Sequence, residues 1–384
     1  MKVLALTSIR SEYDLLSSLF FKLHNDPEVE LKLIVGGAHN SPTFGNTFKD
    51  IEGDGFDILC RVESLLDADS PSARLKSASI LLISIIDIVR SYDPDLLIYA
   101  GDREEVIIGA MLGGYLSIPT IHFFGGDHAC DGHIDNPIRH AASKLSSCHM
   151  VSTKEHYDRL KAIGEPENRI FNIGSVALDK FAETPSIENI ASQVSGLNIN
   201  KPIALFIYHP IEEEVGLESF IVETAINSLK SLGYHVFIGM PNTDPGNTLI
   251  RQTIKKISEE SDDCTVYGNL PRNQFISLFK ASSIIVGNSS AGLLEAASIP
   301  IPCVNIGARQ RGRLSASNVI FVNAEAEEIH LGILKASNEK FIEEIQSVIN
   351  PYGTGQSSLK AYELIKTLDF GSLIYKKEDP LDVL

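Results

Sequence analysis

"DLLIYAGDREEVIIGAMLGGYLSIPTIHFF", Asp95–Phe124, is where the architecture of this chain first becomes legible. Its opening, "DLLIYAG" (Asp95–Gly101), is a short apolar run closed by a glycine, the mark of a buried strand. "EEVIIGAMLGGYL" then reads as a helix, and "PTIHFF" (Pro119–Phe124) as a second strand. Strand, helix and strand in that order form a β-α-β unit, whose two strands run parallel.

The same alternation extends outward in both directions. "KVLALT" (Lys2–Thr7) is a strand, and the segment after it sets Leu15, Leu16, Leu19 and Leu23 on one helical stripe. "ELKLIVGG" is a further strand, and "CHMVST" precedes the helix "KEHYDRLKAIG". Near Lys201 the pattern restarts with "PIALFIYH", a long helix, "YHVFIGM", "SIIVGN" and "PIPCVNIG". A chain of 384 residues exceeds one ordinary core. The expected architecture is therefore α/β, with two Rossmann-like, doubly wound parallel-sheet domains facing a cleft. The expected boundaries are 1–178, 179–368 and a tail at 369–384, with "SIENIASQVSGLNINKP" as the linker.

Composition narrows the function. The formal net charge of −17 argues against a nucleic-acid partner, which needs a basic face. Five scattered cysteines without a CxxC pair suggest reduced thiols and a cytoplasmic protein. The most apolar run, Ala78–Val89, is too short to span a bilayer and reads as a buried helix, so no membrane partner is expected.

Seven polar clusters each follow a predicted strand. They are Arg10–Ser11, Gly101–Asp102–Arg103, "GGDHACDGHIDNPIRH", His209–Pro210, "PNTDPG" (Pro241–Gly246), "GNSSAG" (Gly287–Gly292) and "GARQRGR" (Gly307–Arg313). Open α/β sheets bind ligands at the carboxyl ends of their strands. The hydroxyls and backbone N–H groups of Ser289 and Ser290, with Gly292 opening the helix, suit a diphosphate, although for this turn taken alone a plain helix cap by Ser289 or Ser290 is the stronger reading. Glu295 suits ribose hydroxyls or an exposed helix face. Arg10, Arg103, Arg309, Arg311 and Arg313 stand out in so acidic a chain, and guanidinium matches phosphate oxygens in pairs. Asp102, Asp127, Asp131 and Asp135 offer several carboxylates for dividing acid from base work. Asp135 and Arg139 are four apart, so Arg139 is expected to hold Asp135 from the same helix face. His122, His128, His133 and His140 match no usual metal spacing, so neither a metal nor a cofactor is expected. His209, alone at a strand end before proline, is the better candidate for a catalytic or phosphate-binding histidine.

These elements resemble, in order and over roughly Lys2–Leu368, the UDP-N-acetylglucosamine 2-epimerase family in its hydrolysing branch. The matching stretches are "SIRSEYDLL", "AGDREE", "GGD…DGHIDNPIRHAASKLSSCH", "YHP", "PNTDPG", "GNSSAGLLE", "NIGARQRGR" and "NPYGTG". The resemblance implies a GT-B-like fold, a UDP-sugar substrate and a homodimer. It also implies elimination of UDP through a 2-acetamidoglucal, then hydration to the free 2-epimer. It places Arg10, Arg103, Asn242, Ser289, Ser290, Glu295 and Arg309 at the nucleotide and substrate, and Ser11, Arg139 and Gly292 are further binding candidates beside them. Asp102, Asp127, Asp131, Asp135 and His209 are the catalytic candidates. The non-hydrolysing branch carries a lysine five residues after the arginine, where this chain has Leu15. One departure stands out: Phe124 occupies the place of the family's usual catalytic glutamate, which leaves Asp127 and Asp131 to substitute. A non-hydrolysing epimerase, a GT-B glycosyltransferase and a nucleotide-sugar-binding protein without chemistry remain the alternatives.

Overall fold

A computed structural model describes the chain except for Asp69, Asp131, Gly132, Asn242, Thr243, Pro245, Asn269, Val383 and Leu384. It divides into two compact units. One comprises Met1–His128, Ile134–Lys180 and Tyr352–Leu384; the other comprises Ala129–His133 and Phe181–Pro351.

The first unit is built on a parallel sheet of β1 (Lys2–Thr7), β2 (Glu30–Val35), β3 (Ile58–Arg61), β4 (Leu96–Ala100), β5 (Thr120–Phe123), β6 (Cys148–Val151) and β7 (Ile170–Asn172). Their order is β3-β2-β1-β4-β5-β6-β7. Successive side chains on a strand point to opposite faces. Val3 and Ala5 accordingly enter one buried layer with the helix Arg10–His24, while Leu4 and Leu6 enter the other with Leu81, Ile85 and Val89. Both faces are covered, which is why these strands read as unbroken apolar runs.

The second unit repeats the plan with β8 (Ile203–Ile207), β9 (His235–Gly239), β10 (Cys264–Tyr267), β11 (Ile284–Gly287), β12 (Cys303–Ile306) and β13 (Val319–Val322), in the order β10-β9-β8-β11-β12-β13. Ala204 and Phe206 pack on one face, and Leu205 and Ile207 on the other. In each sheet the order reverses once, between β1 and β4 and between β8 and β11. Those switch points are where a doubly wound sheet opens a crevice at its strand ends.

Three expectations change in detail. The segment expected to end the second domain and form a tail belongs to the first unit. The helix Ser357–Thr367 buries Ala361 and Ile365 in the first core, joined there by Phe370 and Leu373. Buried Arg169 fastens the rest, donating to Leu373 O at 2.7 Å and Tyr375 O at 3.0 Å and pairing with Glu378 at 3.0 Å. The expected linker is folded: Ile190 and Ala191 are buried in the helix Ile190–Ser195, and Ile187, Val194 and Ile199 pack against the same cluster. The apolar helix, Pro71–Tyr92, buries Leu81, Ile85 and Val89 on its inner face, yet exposes Leu75 and Ile83 at 70% and 75%.

Candidate functional site

At the switch point of the first unit, β1 and β4 each feed a helix. Arg10 begins the helix Arg10–His24, with its guanidinium 3.4 Å from Asp14 and 3.7 Å from Asp50. Ser11 is exposed beside it. After β4, Gly101 takes a left-handed backbone with φ 96°, and Arg103 caps the helix Glu104–Leu116 in extended conformation. Asp102 lies between them. The buried His122, from the neighbouring β5, reaches Gly101 O through Nε2 at 2.9 Å and Ser143 Oγ through Nδ1 at 3.0 Å. Burial pulls its pKa down to about 3, so it acts as a neutral strut that fixes the Gly101 turn.

Two of the candidate carboxylates, Asp102 and Asp127, gather around one guanidinium. Arg139, only 2% exposed, donates to Asp102 and lies 4.0 Å from Asp127. Asp127 is met at 3.3 Å by His156 Nε2 and accepts the backbone N–H of His128 at 2.8 Å. The i,i+4 spacing predicts Arg139 on Asp135. Instead the guanidinium is taken up by Asp102, and Asp135 is met at 3.2 Å by Arg74 of the helix Pro71–Tyr92. Local spacing gives way to tertiary packing, because α/β topology carries the β4 turn over the same helix face. Arg74 also pairs with Glu104. His128 and His140 stack at 5.6 Å with facing nitrogens 3.3 Å apart, and burial lowers the pKa of His140. Phe124 has a left-handed φ of 64° and packs against the first core. Asp131 falls outside the described residues.

At the switch point of the second unit, Asn288 is fully buried and clamps the turn after β8. Its Oδ1 accepts His209 N–H at 2.7 Å, and its Nδ2 donates to His209 O at 2.8 Å. The Asn288 carbonyl in turn accepts from Arg309 and from Gln310 side-chain nitrogens, each at 3.0 Å. Asn288 thus fixes the places of His209 and Arg309 together. Gly287, at φ 132°, must be glycine, since a Cβ there would sit 2.0 Å from Ile207 O.

Ser290 precedes the short helix Ala291–Leu294 but makes no side-chain cap hydrogen bond, so the plain cap is not what its hydroxyl does. Ser289 Oγ accepts weakly from Ala291 N–H at 3.4 Å. Gly292 lets the helix close on β12, because a Cβ would come within 2.5 Å of Cys303 Sγ. Glu295 is buried, not on an exposed face; Arg272 donates to its Oε1, and its Oε2 meets no donor among the described residues. A buried, half-satisfied carboxylate is an acceptor site for a ligand hydroxyl.

The Gly307–Arg309 turn is held from below. Buried Glu214 accepts Ala308 N–H at 3.2 Å and the Tyr208 hydroxyl, and burial raises its pKa. Cys130 N–H donates to Arg311 O at 2.7 Å within the same unit. Asn242 lies outside the described residues.

Sequence reasoning missed Asn288, Gln310, Glu214 and His156. Asn288 had a signal, an amide in the first position after a strand-ending glycine. His156 had none, as it sits in the first turn of an ordinary amphipathic helix, Lys154–Ala162.

Comparison with known proteins agrees with this layout. A family model described as UDP-N-acetylglucosamine 2-epimerase matches residues 21–366. The chain is similar to a UDP-N,N'-diacetylbacillosamine 2-epimerase (hydrolyzing) of Legionella pneumophila, at 32% identity over 98% of each chain. It is also similar to a GDP/UDP-N,N'-diacetylbacillosamine 2-epimerase (hydrolyzing) of Campylobacter jejuni, at 31% identity over 88% of each. Among solved structures, the UDP-GlcNAc 2-epimerase of Neisseria meningitidis bound to UDP-GlcNAc superposes with a TM-score of 0.82 at 18% identity, covering 96% of this chain and 100% of that one. At that identity the likeness speaks for the fold of two doubly wound, parallel-sheet units.

Proposed function

Because this chain belongs to the UDP-N-acetylglucosamine 2-epimerase family, we propose that it is a hydrolysing 2-epimerase, converting a UDP-linked 2-acetamido sugar and water to UDP and the free 2-epimer. The relatives named above as hydrolysing support this reading, and they make the 2,4-diacetamido-2,4,6-trideoxyglucose donor the first to test beside UDP-N-acetylglucosamine. The observation that carries the chemistry is the buried Arg139 facing both Asp102 and Asp127.

In the first step a carboxylate removes the C2 proton, the C1–O bond to UDP breaks, and a C1–C2 double bond forms. In the second, water adds its oxygen to C1 while a proton reaches C2 on the opposite face. Asp102 and Asp127 divide these transfers, with Asp131 and Asp135 beside them in sequence and His209 as the acid toward the leaving diphosphate. Arg139 orients the first two carboxylates. The Ser289 and Ser290 hydroxyls, Arg309, Arg10 and Arg103 stabilise the departing UDP, and Glu295 takes the ribose hydroxyls through its open oxygen. Ser11, Gly292 and Asn242 complete the substrate contacts. Phe124, packed against the first core, leaves proton transfer to the aspartates.

The proposed cellular setting is cytoplasmic synthesis of sialic or legionaminic-type sugars. Among the described residues no helix is long and apolar enough to cross a membrane. The proposed homodimer uses the exposed face of Pro71–Tyr92, where Leu75, Ile83 and Ile86 line up at helical spacing. Turnover of either donor to UDP and a free 2-epimer tests the function; accumulation of the epimeric UDP-sugar instead would assign the reversible branch.

A further inference from the structure

The C-terminal segment of the first unit reaches back to the helix that carries Arg139, Asp135–Leu145. Lys376 Nζ donates to Ser143 O and Lys144 O, each at 3.0 Å, and to Glu165 Oε2 at 2.5 Å. Both carbonyls lie in the last turn of that helix, where the carbonyls outrun the helix's own N–H groups. Ser143 O also takes Ser146 N–H at 3.2 Å. A cation there meets the negative end of the helix dipole. Glu165, fully buried, holds the lysine from the other side and is met also by His149 Nε2 at 2.6 Å and Lys144 Nζ at 2.8 Å. Buried Arg169 grips the same segment through Leu373 O and Tyr375 O, and the chain just after the helix through Ser147 O at 3.0 Å.

Ser143 faces two ways. Its carbonyl takes Lys376, and its hydroxyl meets His122 Nδ1 at 3.0 Å. Nε2 of that neutral imidazole reaches Gly101 O at 2.9 Å. Arg139, four residues before Ser143 and so on the same helix face, donates to Asp102, the residue after Gly101. One helix therefore grips the β4 turn at two adjacent residues: at Gly101 through Ser143 and His122, and at Asp102 through Arg139.

We propose that Lys376 is a positioning residue for the carboxylate site: it caps the helix Asp135–Leu145 and, through Ser143 and His122, sets the Gly101–Asp102 turn against Arg139. The lysine touches no reacting group and acts only through the helix it caps. Its effect on turnover rests on the function proposed above, which assigns proton transfer to Asp102.

The test compares Lys376→Met, Ser143→Ala, their double variant and Glu378→Gln in the intact chain, by steady-state kinetics with whichever of the two donors above is turned over and by amide hydrogen exchange. Glu378→Gln loosens the same segment at Arg169 but leaves Lys376 and the helix alone, and its kcat stays within about twofold of wild type. Lys376→Met and Ser143→Ala each lower kcat about tenfold, while KM and UDP affinity change less than about twofold. Because both act along one path, the double variant falls no more than about twofold below the worse single. Additive losses, about 100-fold together, overturn the path, as does a Lys376→Met kcat equal to that of Glu378→Gln. Exchange at the Gly101–Arg103 turn quickens in Lys376→Met and in Ser143→Ala and stays at the wild-type rate in Glu378→Gln. An unmoved turn in both variants overturns the proposal whether or not a donor is turned over. Should Lys376→Met fail to fold, Lys376→Met/Glu165→Gln replaces it, since it leaves no buried acid without its cation. A protein that turns over neither donor refutes the proposed function, while exchange at the turn still judges Lys376.

Discussion

Replacing Arg139 by methionine removes one guanidinium and keeps most of its volume. The residue is 2% exposed, and the Asp102 and Asp127 side chains retain 21% and 17% of their surface. Breaking a fully buried ion pair by removing one partner costs about 3–5 kcal/mol, because the charge left behind has lost its solvation and its partner. Water reaches part of both carboxylates here, so the expected loss is about 2–4 kcal/mol. Urea unfolding followed by circular dichroism measures it, as a lower midpoint with an unchanged slope. Catalysis suffers more than binding: kcat/KM drops about 100-fold as the two aspartates lose their orientation, while UDP affinity changes less than about threefold. Arg139→Lys restores the charge but not the two-sided reach, and recovers about half of the stability. A methionine variant within about 0.5 kcal/mol of wild type and fully active would sink this reading, since a buried guanidinium shared by two carboxylates cannot be removed silently.

Asn288→Ala strips the clamp from His209 and leaves a backbone N–H and C=O unsatisfied; it is expected to cost about 2–3 kcal/mol and to weaken UDP binding, read by thermal unfolding and calorimetry. Phe124→Glu, which installs the residue the family resemblance expects, puts a charge against the first core and is expected to destabilise by about 2–3 kcal/mol without raising kcat, as checked by denaturation and turnover. At the C-terminal segment, burial alone would raise the Glu165 carboxyl, but the His149 N–H at 2.6 Å, Lys376 at 2.5 Å and Lys144 at 2.8 Å outweigh it and bring the pKa to about 2. A carboxyl held below its unfolded value stabilises the fold above that value. About 2–3 kcal/mol should therefore be lost as pH falls from the ordinary carboxylate range toward 2, and Glu165→Gln should flatten that part of the stability–pH curve.

What the sequence made legible follows from what its residues do locally. The strands are apolar on both faces, so "LLIYA" and "IALFI" announce parallel, covered strands, and their spacing carries the doubly wound order. The polar residues after them are legible too, because a strand end in such a sheet has nowhere else to face. Partnership is a different matter. Asp135 and Arg139 have ideal helical spacing, yet Arg74 and Asp102, 61 and 37 residues away in sequence, take them up. The return of Ser357–Thr367 to the first unit depends on Ala361 and Ile365 fitting the helix Arg10–His24, a shape that no periodicity encodes.

Hydrolytic 2-epimerisation is decided by proton NMR in D2O with UDP-N-acetylglucosamine and the UDP-2,4-diacetamido-trideoxy donor. Elimination followed by hydration yields UDP and a free 2-epimer carrying deuterium at C2 from at least one donor. An intact epimeric UDP-sugar, or no turnover of either donor by a protein that binds UDP, would contradict it.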